Sequence, residues 1–171
     1  PFVAGHQLGI ARDDRRAAQS IFFFHQNGIA AHGGQSLGSR QAGGSAANTM
    51  AGLASLGGKA GFIGKVKNDQ LGRVFTHDLR AVGVEYDTAM AAGGAATARS
   101  FILVTPDAQR TMNTFLGASA ALGPDDVHPG TIDRAGITYL EGYLWDPAEA
   151  KEAFRKAADL AHASGRRVAF T

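Results

Sequence analysis

The chain has 171 residues, with 17 Lys plus Arg against 15 Asp plus Glu and no Cys. A net charge of +2 excludes the clustered positive field that nucleic acid or an acidic membrane surface requires, and the lack of thiols excludes disulfides, thiolate metal sites and a cysteine nucleophile. The length suits one domain burying roughly 70% of its unfolded surface, while 23 glycines, near twice the usual share of about 7%, signal backbones that approach each other or a ligand closely.

In chain order, residues 1–42 give no assignable structure. Ile21-Phe22-Phe23-Phe24 reads as a buried strand and Arg12 to Ser20 as a short helix, but Gly28 to Ala42 shows no sustained apolar period. From Gly43 local signals agree. Ser45 suits the N-cap of a helix with Met50, Leu53 and Leu56 on one face and Gly57-Gly58 as the stop. A strand over Lys59 to Val66 follows, then a helix from about Gln70 to Val82, capped by Asp69, ended by Gly83 and buried along Leu71, Val74, Phe75, Leu79 and Val82. Thr97 to Thr105 and Arg110 to Phe115 form a half-exposed hairpin around Pro106-Asp107-Ala108-Gln109.

Ile137 to Leu144 reads as a strand, and Asp146-Pro147-Ala148-Glu149 as the start of a helix with Asp146 as its cap. Ala150, Phe154, Ala157 and Ala161 face inward and Gly165 ends that helix, before another strand over Arg167 to Thr171. Strand, helix and strand make a βαβ unit, so the main sheet is expected to be parallel with helices on both faces. Ligands of such sheets bind beyond the carboxyl ends of the strands, where the two halves of the sheet diverge.

Several constellations carry chemistry or exclude it. The six histidines include no i, i+4 pair and no HExxH, so no metal site is expected. Gln41 to Gly58 is the least polar stretch, but its only large apolar residues are Met50, Leu53 and Leu56, too few for a membrane span. Gly43-Gly44-Ser45-Ala46-Ala47 falls one residue short of a nucleophile elbow and has no strand running into it, which argues against Ser45 as an acyl-transfer nucleophile. The double glycine opens a helix whose free N–H groups, with Asn48 in the first turn, suit an anion or sugar hydroxyls; tight helix packing is the other account of it. Glu141 interrupts an apolar run, Tyr139-Leu140-Glu141-Gly142-Tyr143-Leu144, so it either lies at a sheet edge or binds something.

The motifs Gly43-Gly44-Ser45-Ala46-Ala47-Asn48-Thr49, Gly61-Phe62-Ile63-Gly64-Lys65-Val66, Asp69-Gln70-Leu71-Gly72, Thr105-Pro106-Asp107-Ala108-Gln109-Arg110 and Tyr139-Leu140-Glu141-Gly142 stand in one order and spacing. Together they resemble the PfkB-type carbohydrate kinases, the ribokinase and adenosine kinase group, over about residues 43 to 171. The resemblance implies a ribokinase-like three-layer α/β sandwich with a small β lid over about 97–115, here incomplete, with the C-terminal half missing. It implies ATP- and Mg²⁺-dependent phosphoryl transfer to a hydroxymethyl group of a sugar or nucleoside. It places Gly43, Gly44, Asn48 and Glu141 at positions that contact the substrate.

The family's opening strand with its substrate-binding Asp has no match in residues 1–42, and Lys67 and Asn68 stand where Gly and Asp are usual. The Gly-Ala-Gly-Asp segment of the anion hole and catalytic base, the Asn-x-x-Glu metal motif and the nucleotide site are absent, so no catalytic residue is assigned and ATP and Mg²⁺ are expected only of a full-length member. The start on Pro1 and the end within Val168-Ala169-Phe170-Thr171 fit the same expectation of a fragment, inactive alone, with residues 1–42 foreign to the pattern. A cytoplasmic location, a small-molecule sugar or nucleoside partner and a homodimer through the lid complete the expectations. A non-catalytic sugar- or nucleoside-binding module is the alternative.

Overall fold

A computed structural model describes residues 19–23, 30–32 and 42–171. Its main sheet is parallel and five-stranded. The centre is β1 (Gln19–Phe23), flanked by β3 (Lys59–Ile63) and then β4 (Val84–Tyr86) on one side, and by β7 (Ala135–Leu140) and then β8 (Arg167–Phe170) on the other. A smaller sheet pairs β2 (Ala30–His32) with β5 (Arg99–Val104), and β5 with β6 (Arg110–Phe115). β1 overlaps the run Ile21-Phe22-Phe23-Phe24 that reads as a buried strand, with Phe24 outside the described residues, whereas β2 arises where the sequence assigns no structure. The helix read over Arg12 to Ser20 lies mostly outside the described residues, and Gln19 and Ser20 at its end belong to β1 instead.

Helices cover the two faces of the main sheet. Strand alternation sends Ala60 and Phe62 into a core with α1 (Ser45–Ser55) and α2 (Gln70–Ala81), while Ile63 enters a second core. That second core is built on α4 (Ala148–Ala163), with Leu140, Ile132 and Leu122. Crossovers that leave the centre in opposite directions and keep one hand must place their helices on opposite faces. In the α1–α2 core the rings of Phe62, Phe75 and Tyr86 meet with centroids 5.6 to 5.8 Å apart, in the tilted and edge-on arrangements that ring quadrupoles favour. The Tyr86 hydroxyl donates to Gly64 O at 2.8 Å, satisfying its buried polar end.

Apolar periodicity locates the helices, and their ends depart from expectation by local geometry. In α1 the first helical residue is Ser45 and the cap is Gly44, with φ 110°; Leu56 is the C-cap and 86% exposed. Gly57 and Gly58 close α1 by donating to Ala54 O and Leu53 O, the paired bonds of a Schellman turn, which needs the positive φ found at Gly57. Gly165 and Arg166 end α4 in the same way. Val82 is the C-cap of α2 and 47% exposed, so it does not extend the buried stripe. The strand read over Lys59 to Val66 stops at Ile63, and Arg167 to Thr171 contributes β8 only to Phe170. Pro147 rather than Asp146 caps α4.

The hairpin forms as expected around Pro106 to Gln109, its strands trimmed to Arg99–Val104 and Arg110–Phe115, with every residue of β6 exposed. Its root is held firmly. Asp69, the N-cap of α2, accepts from Gly72 N–H at 2.8 Å and Thr97 Oγ1 at 2.7 Å on one oxygen, and from Thr97 N–H at 2.9 Å on the other. Gly72 has no room for a side chain here, since a Cβ would stand 2.0 Å from Lys67 O.

Burial pushes the Asp69 carboxyl up, but the amides of Thr97 and Gly72, the Thr97 hydroxyl and the Arg73 charge outweigh it and hold the group below the usual carboxylate range. A depressed folded value means that this contribution is present above the unfolded pKa and is lost as pH falls through the folded one. Asp69→Ala is expected to cost about 1–3 kcal/mol at neutral pH, from one cap and two tertiary bonds, and to flatten the acid limb of stability below about pH 4. Urea unfolding across a pH series checks it; an acid limb parallel to that of the unaltered chain would count against the assignment.

Candidate functional site

The sheet diverges around β1: α1 lies on one face on the way to β3, and α4 lies on the other between β7 and β8. A crevice opens beyond the carboxyl ends of strands at such a point. Glu141 stands there, one residue past the end of β7 and as the cap of a single 3₁₀ turn, Gly142–Leu144. The strand expected over Ile137 to Leu144 therefore ends at Leu140. Since β7 lies between β1 and β8, a sheet-edge account of Glu141 does not hold.

The chain bends sharply after Glu141. Gly142 N–H donates to Thr171 O at 2.7 Å, and Thr171 N–H donates to Leu140 O at 3.1 Å, so the residue after β8 clamps the turn that presents the carboxylate. At Gly142 a Cβ would come 2.7 Å from the same Thr171 O, and glycine is what permits this approach.

Glu141 is only 8% exposed. Its Oε1 accepts from Ser45 Oγ at 2.6 Å, whereas Oε2 is buried with no hydrogen-bond partner among the described residues. Ser45 is thus the first helical residue and a partner of Glu141, not the N-cap that the sequence suggests. Gly44 as cap gives α1 no side-chain capping bond. The Asn48 N–H donates back to Gly44 O at 2.9 Å, and the amides ahead of it form the positive end of the helix. A carboxylate at that end is electrostatically favoured. Its second oxygen, deprived of water, costs about 1–3 kcal/mol unless a donor is supplied.

Of the four residues singled out by sequence, Gly43 and Gly44 lead directly into the helix whose first residue holds Glu141. Asn48 is exposed and borders a groove of about 190 Å³ between α1 and α2, with Asp78, Leu79 and Val82 on the far wall. Ser45 is the residue that sequence reasoning gave another role. Nothing in local spacing signals a bond spanning 96 positions.

Chemically, a buried carboxylate with one free acceptor beside a helix N-terminus suits a neutral, hydroxyl-rich molecule, because each O–H can donate to the charge while the helix amides bind ring or hydroxyl oxygens. Among the described residues no three or more His, Asp or Glu side chains gather in a way that could hold a metal ion, and no helix is long and apolar enough to cross a membrane.

The arrangement is that of a doubly wound α/β protein with a buried carboxyl group where its crossovers diverge and a small appended β-sheet. Among proteins of that class, this chain belongs to the pfkB family of carbohydrate kinases, whose pattern matches residues 30–170. It is 33% identical over 131 residues to 5-dehydro-2-deoxygluconokinase from Shouchella clausii, spanning 75% of this chain and 40% of that protein. The crystal structure of adenosine kinase from Sinorhizobium meliloti superposes with a TM-score of 0.76 at 40% identity, covering 91% of this chain and 56% of the other. A ribokinase-like structure from E. coli, described as a putative Ribokinase II, agrees in fold at a TM-score of 0.77 and 18% identity, over 90% of this chain and 52% of that one.

The ribokinase-like fold expected from the motifs is therefore present, and the match begins upstream of Gly43. The chain spans about two-fifths of the length of that curated relative and a little over half of those structures.

Proposed function

We propose that this chain forms the substrate-binding and lid portion of a sugar or nucleoside kinase, adenosine-kinase-like, whose complete form transfers phosphoryl from ATP to a hydroxymethyl group. The observation that carries this reading is the buried Glu141, tied by Ser45 and keeping one acceptor oxygen free at the switch point. In this reading Glu141 accepts a substrate hydroxyl, Gly43 and Gly44 let the sugar approach the backbone of α1, and Asn48 contacts a further hydroxyl. The hairpin over about 97–115 acts as the lid that excludes water; its exposed strands also suit pairing with a second copy. The protein works in the cytoplasm on a small-molecule substrate.

ATP and Mg²⁺ belong to the complete kinase. The acidic cluster a Mg²⁺–nucleotide site needs is not gathered among the described residues, and the Gly-Ala-Gly-Asp and Asn-x-x-Glu motifs are missing from the sequence. The residues here do not fit that group, and turnover by this chain alone is not expected. A second reading, a non-catalytic sugar- or nucleoside-binding module, uses the same contact at Glu141.

Calorimetry with ribose, fructose and adenosine tests the site, and an ATP-turnover assay on the chain separates enzyme from module. Glu141→Gln is expected to weaken binding by about 10- to 100-fold, the worth of one hydrogen bond to a charged acceptor. An affinity unchanged in that variant removes Glu141 from the site, and turnover by the unaltered chain refutes the need for the missing motifs.

A further inference from the structure

The bond between Ser45 and Glu141 joins the start of one helix to the end of a strand from the other half of the sheet. We propose that Ser45 is the positioning residue for Glu141, and that by occupying one carboxylate oxygen it sets which sugar hydroxyl the other oxygen selects. This inference rests on the reading of the crevice as a sugar or nucleoside site.

Three observations support it. The Ser45 Oγ–Glu141 Oε1 distance of 2.6 Å is that of a short O–H···O hydrogen bond with the serine hydroxyl donating. Ser45 makes no capping bond of its own, because Gly44 occupies the cap and α1 has no side-chain cap, so the hydroxyl is not needed to finish the helix. Glu141 Oε2 is buried with no partner among the described residues, although natural folds rarely leave a buried acceptor unmatched.

Geometry ties these together. A carboxylate is planar, so fixing one oxygen against a rigid helix end fixes the direction of the other. The backbone beside it is equally constrained, by the Gly142–Thr171–Leu140 bonds on the far side of the turn. Without the serine hydroxyl the carboxylate is free to rotate, and either oxygen then meets an incoming hydroxyl or water. Affinity for a polyol falls modestly in that case, whereas discrimination between hydroxyl patterns collapses. Sites that hydrogen-bond a substrate hydroxyl reject the analogue lacking it because their buried polar groups are then left unpaired.

The test measures discrimination on the full chain. Calorimetry compares ribose with 2-deoxyribose and 3-deoxyribose for the unaltered chain, Ser45→Ala, Ser45→Thr and Glu141→Gln. The unaltered chain is expected to favour ribose over at least one deoxy sugar by about tenfold or more. Ser45→Ala is expected to reduce that ratio to about twofold or less, and Ser45→Thr, which restores a hydroxyl, to retain it. The carboxyl-carbon NMR signal of Glu141, recorded without ligand, is expected to move in Ser45→Ala and to stay near its place in Ser45→Thr.

A uniform loss across all three sugars in Ser45→Ala, or an unchanged ratio, overturns the proposal. If Glu141→Gln abolishes the ratio while Ser45→Ala preserves it, the positioning role alone fails and the sugar site stands. If neither these sugars nor fructose or adenosine binds the unaltered chain, or Glu141→Gln leaves the ratio intact, the functional reading fails and the inference goes with it.

Discussion

Asp126→Ala is expected to lower the unfolding free energy by about 2–4 kcal/mol, below the full cost of breaking a wholly buried ion pair because Lys65 keeps some exposure. Asp126 is 6% exposed and lies in a short 3₁₀ turn, Pro124–Asp126, that packs on α4. One of its oxygens accepts from Lys65 Nζ at 2.5 Å, and the other from Gly123 N–H at 3.0 Å. Truncation removes one partner of the Lys65 ammonium and leaves the Gly123 amide without its acceptor. Burial, and then the charge of Asp126, push the Tyr86 phenol up, so the field of the same carboxylate is felt at Tyr86.

Asp126→Asn separates the contributions. The amide oxygen keeps the Gly123 bond while the charge disappears, so about half of the loss is expected to return if hydrogen bonding and charge contribute alike. Urea denaturation with m-values checks both variants. A loss below about 1 kcal/mol in Asp126→Ala would mean that Lys65 is adequately solvated without it.

Phe75→Ala is the second large effect, at about 3–5 kcal/mol. Phe75 is fully buried and is the member of the Phe62–Phe75–Tyr86 triangle contributed by α2; the other two rings come from β3 and β4. The rings flanking the void are fixed to strands at one end, and Tyr86 is anchored besides by its hydroxyl on Gly64 O and by Arg80 on its carbonyl. A site that is held this way collapses little, which places the cost toward the upper part of the range. Phe75→Leu is expected to recover more than half of it. Thermal and chemical unfolding decide, and equal losses in the two variants would show that ring geometry rather than volume matters.

Sequence patterns rendered some parts of this molecule readily and others not at all. Helices α2 and α4 were legible because Phe75 and Leu79, or Ala150, Phe154, Ala157 and Ala161, repeat at helical spacing between strong end signals, and all are buried. The hairpin was legible from turn chemistry at Pro106 and Asp107. The strand β1 was legible only in part: Ile21-Phe22-Phe23 reads as a buried strand, but a short continuous apolar run has no alternation to mark it as a central parallel strand or to show that it begins at Gln19. The end of β7 escaped for a related reason: Tyr143 and Leu144 extend the apolar run, but the chain turns at Gly142 through bonds to Thr171, which lies far along the sequence. Of the site, the glycines and Glu141 drew notice as local oddities, whereas the link between Glu141 and Ser45 exists only once β7 and α1 are placed side by side.

The position of β1 has a consequence for how the molecule is made. Its residue Gln19 pairs with Lys59 on one side and with Ala135 on the other. A ribosome adds residues in order at about 5–20 per second, so β1 emerges before either of its neighbours and waits for both. Its first partner arrives soon, but its second follows only after α1, α2 and the whole hairpin have been synthesised. Until then one edge of the most central strand is open to any other extended chain. Long-range parallel pairing of this kind is slow and exposed to aggregation, which makes β1 and its delayed partner β7 the step at which assistance by chaperones would matter most in producing this protein.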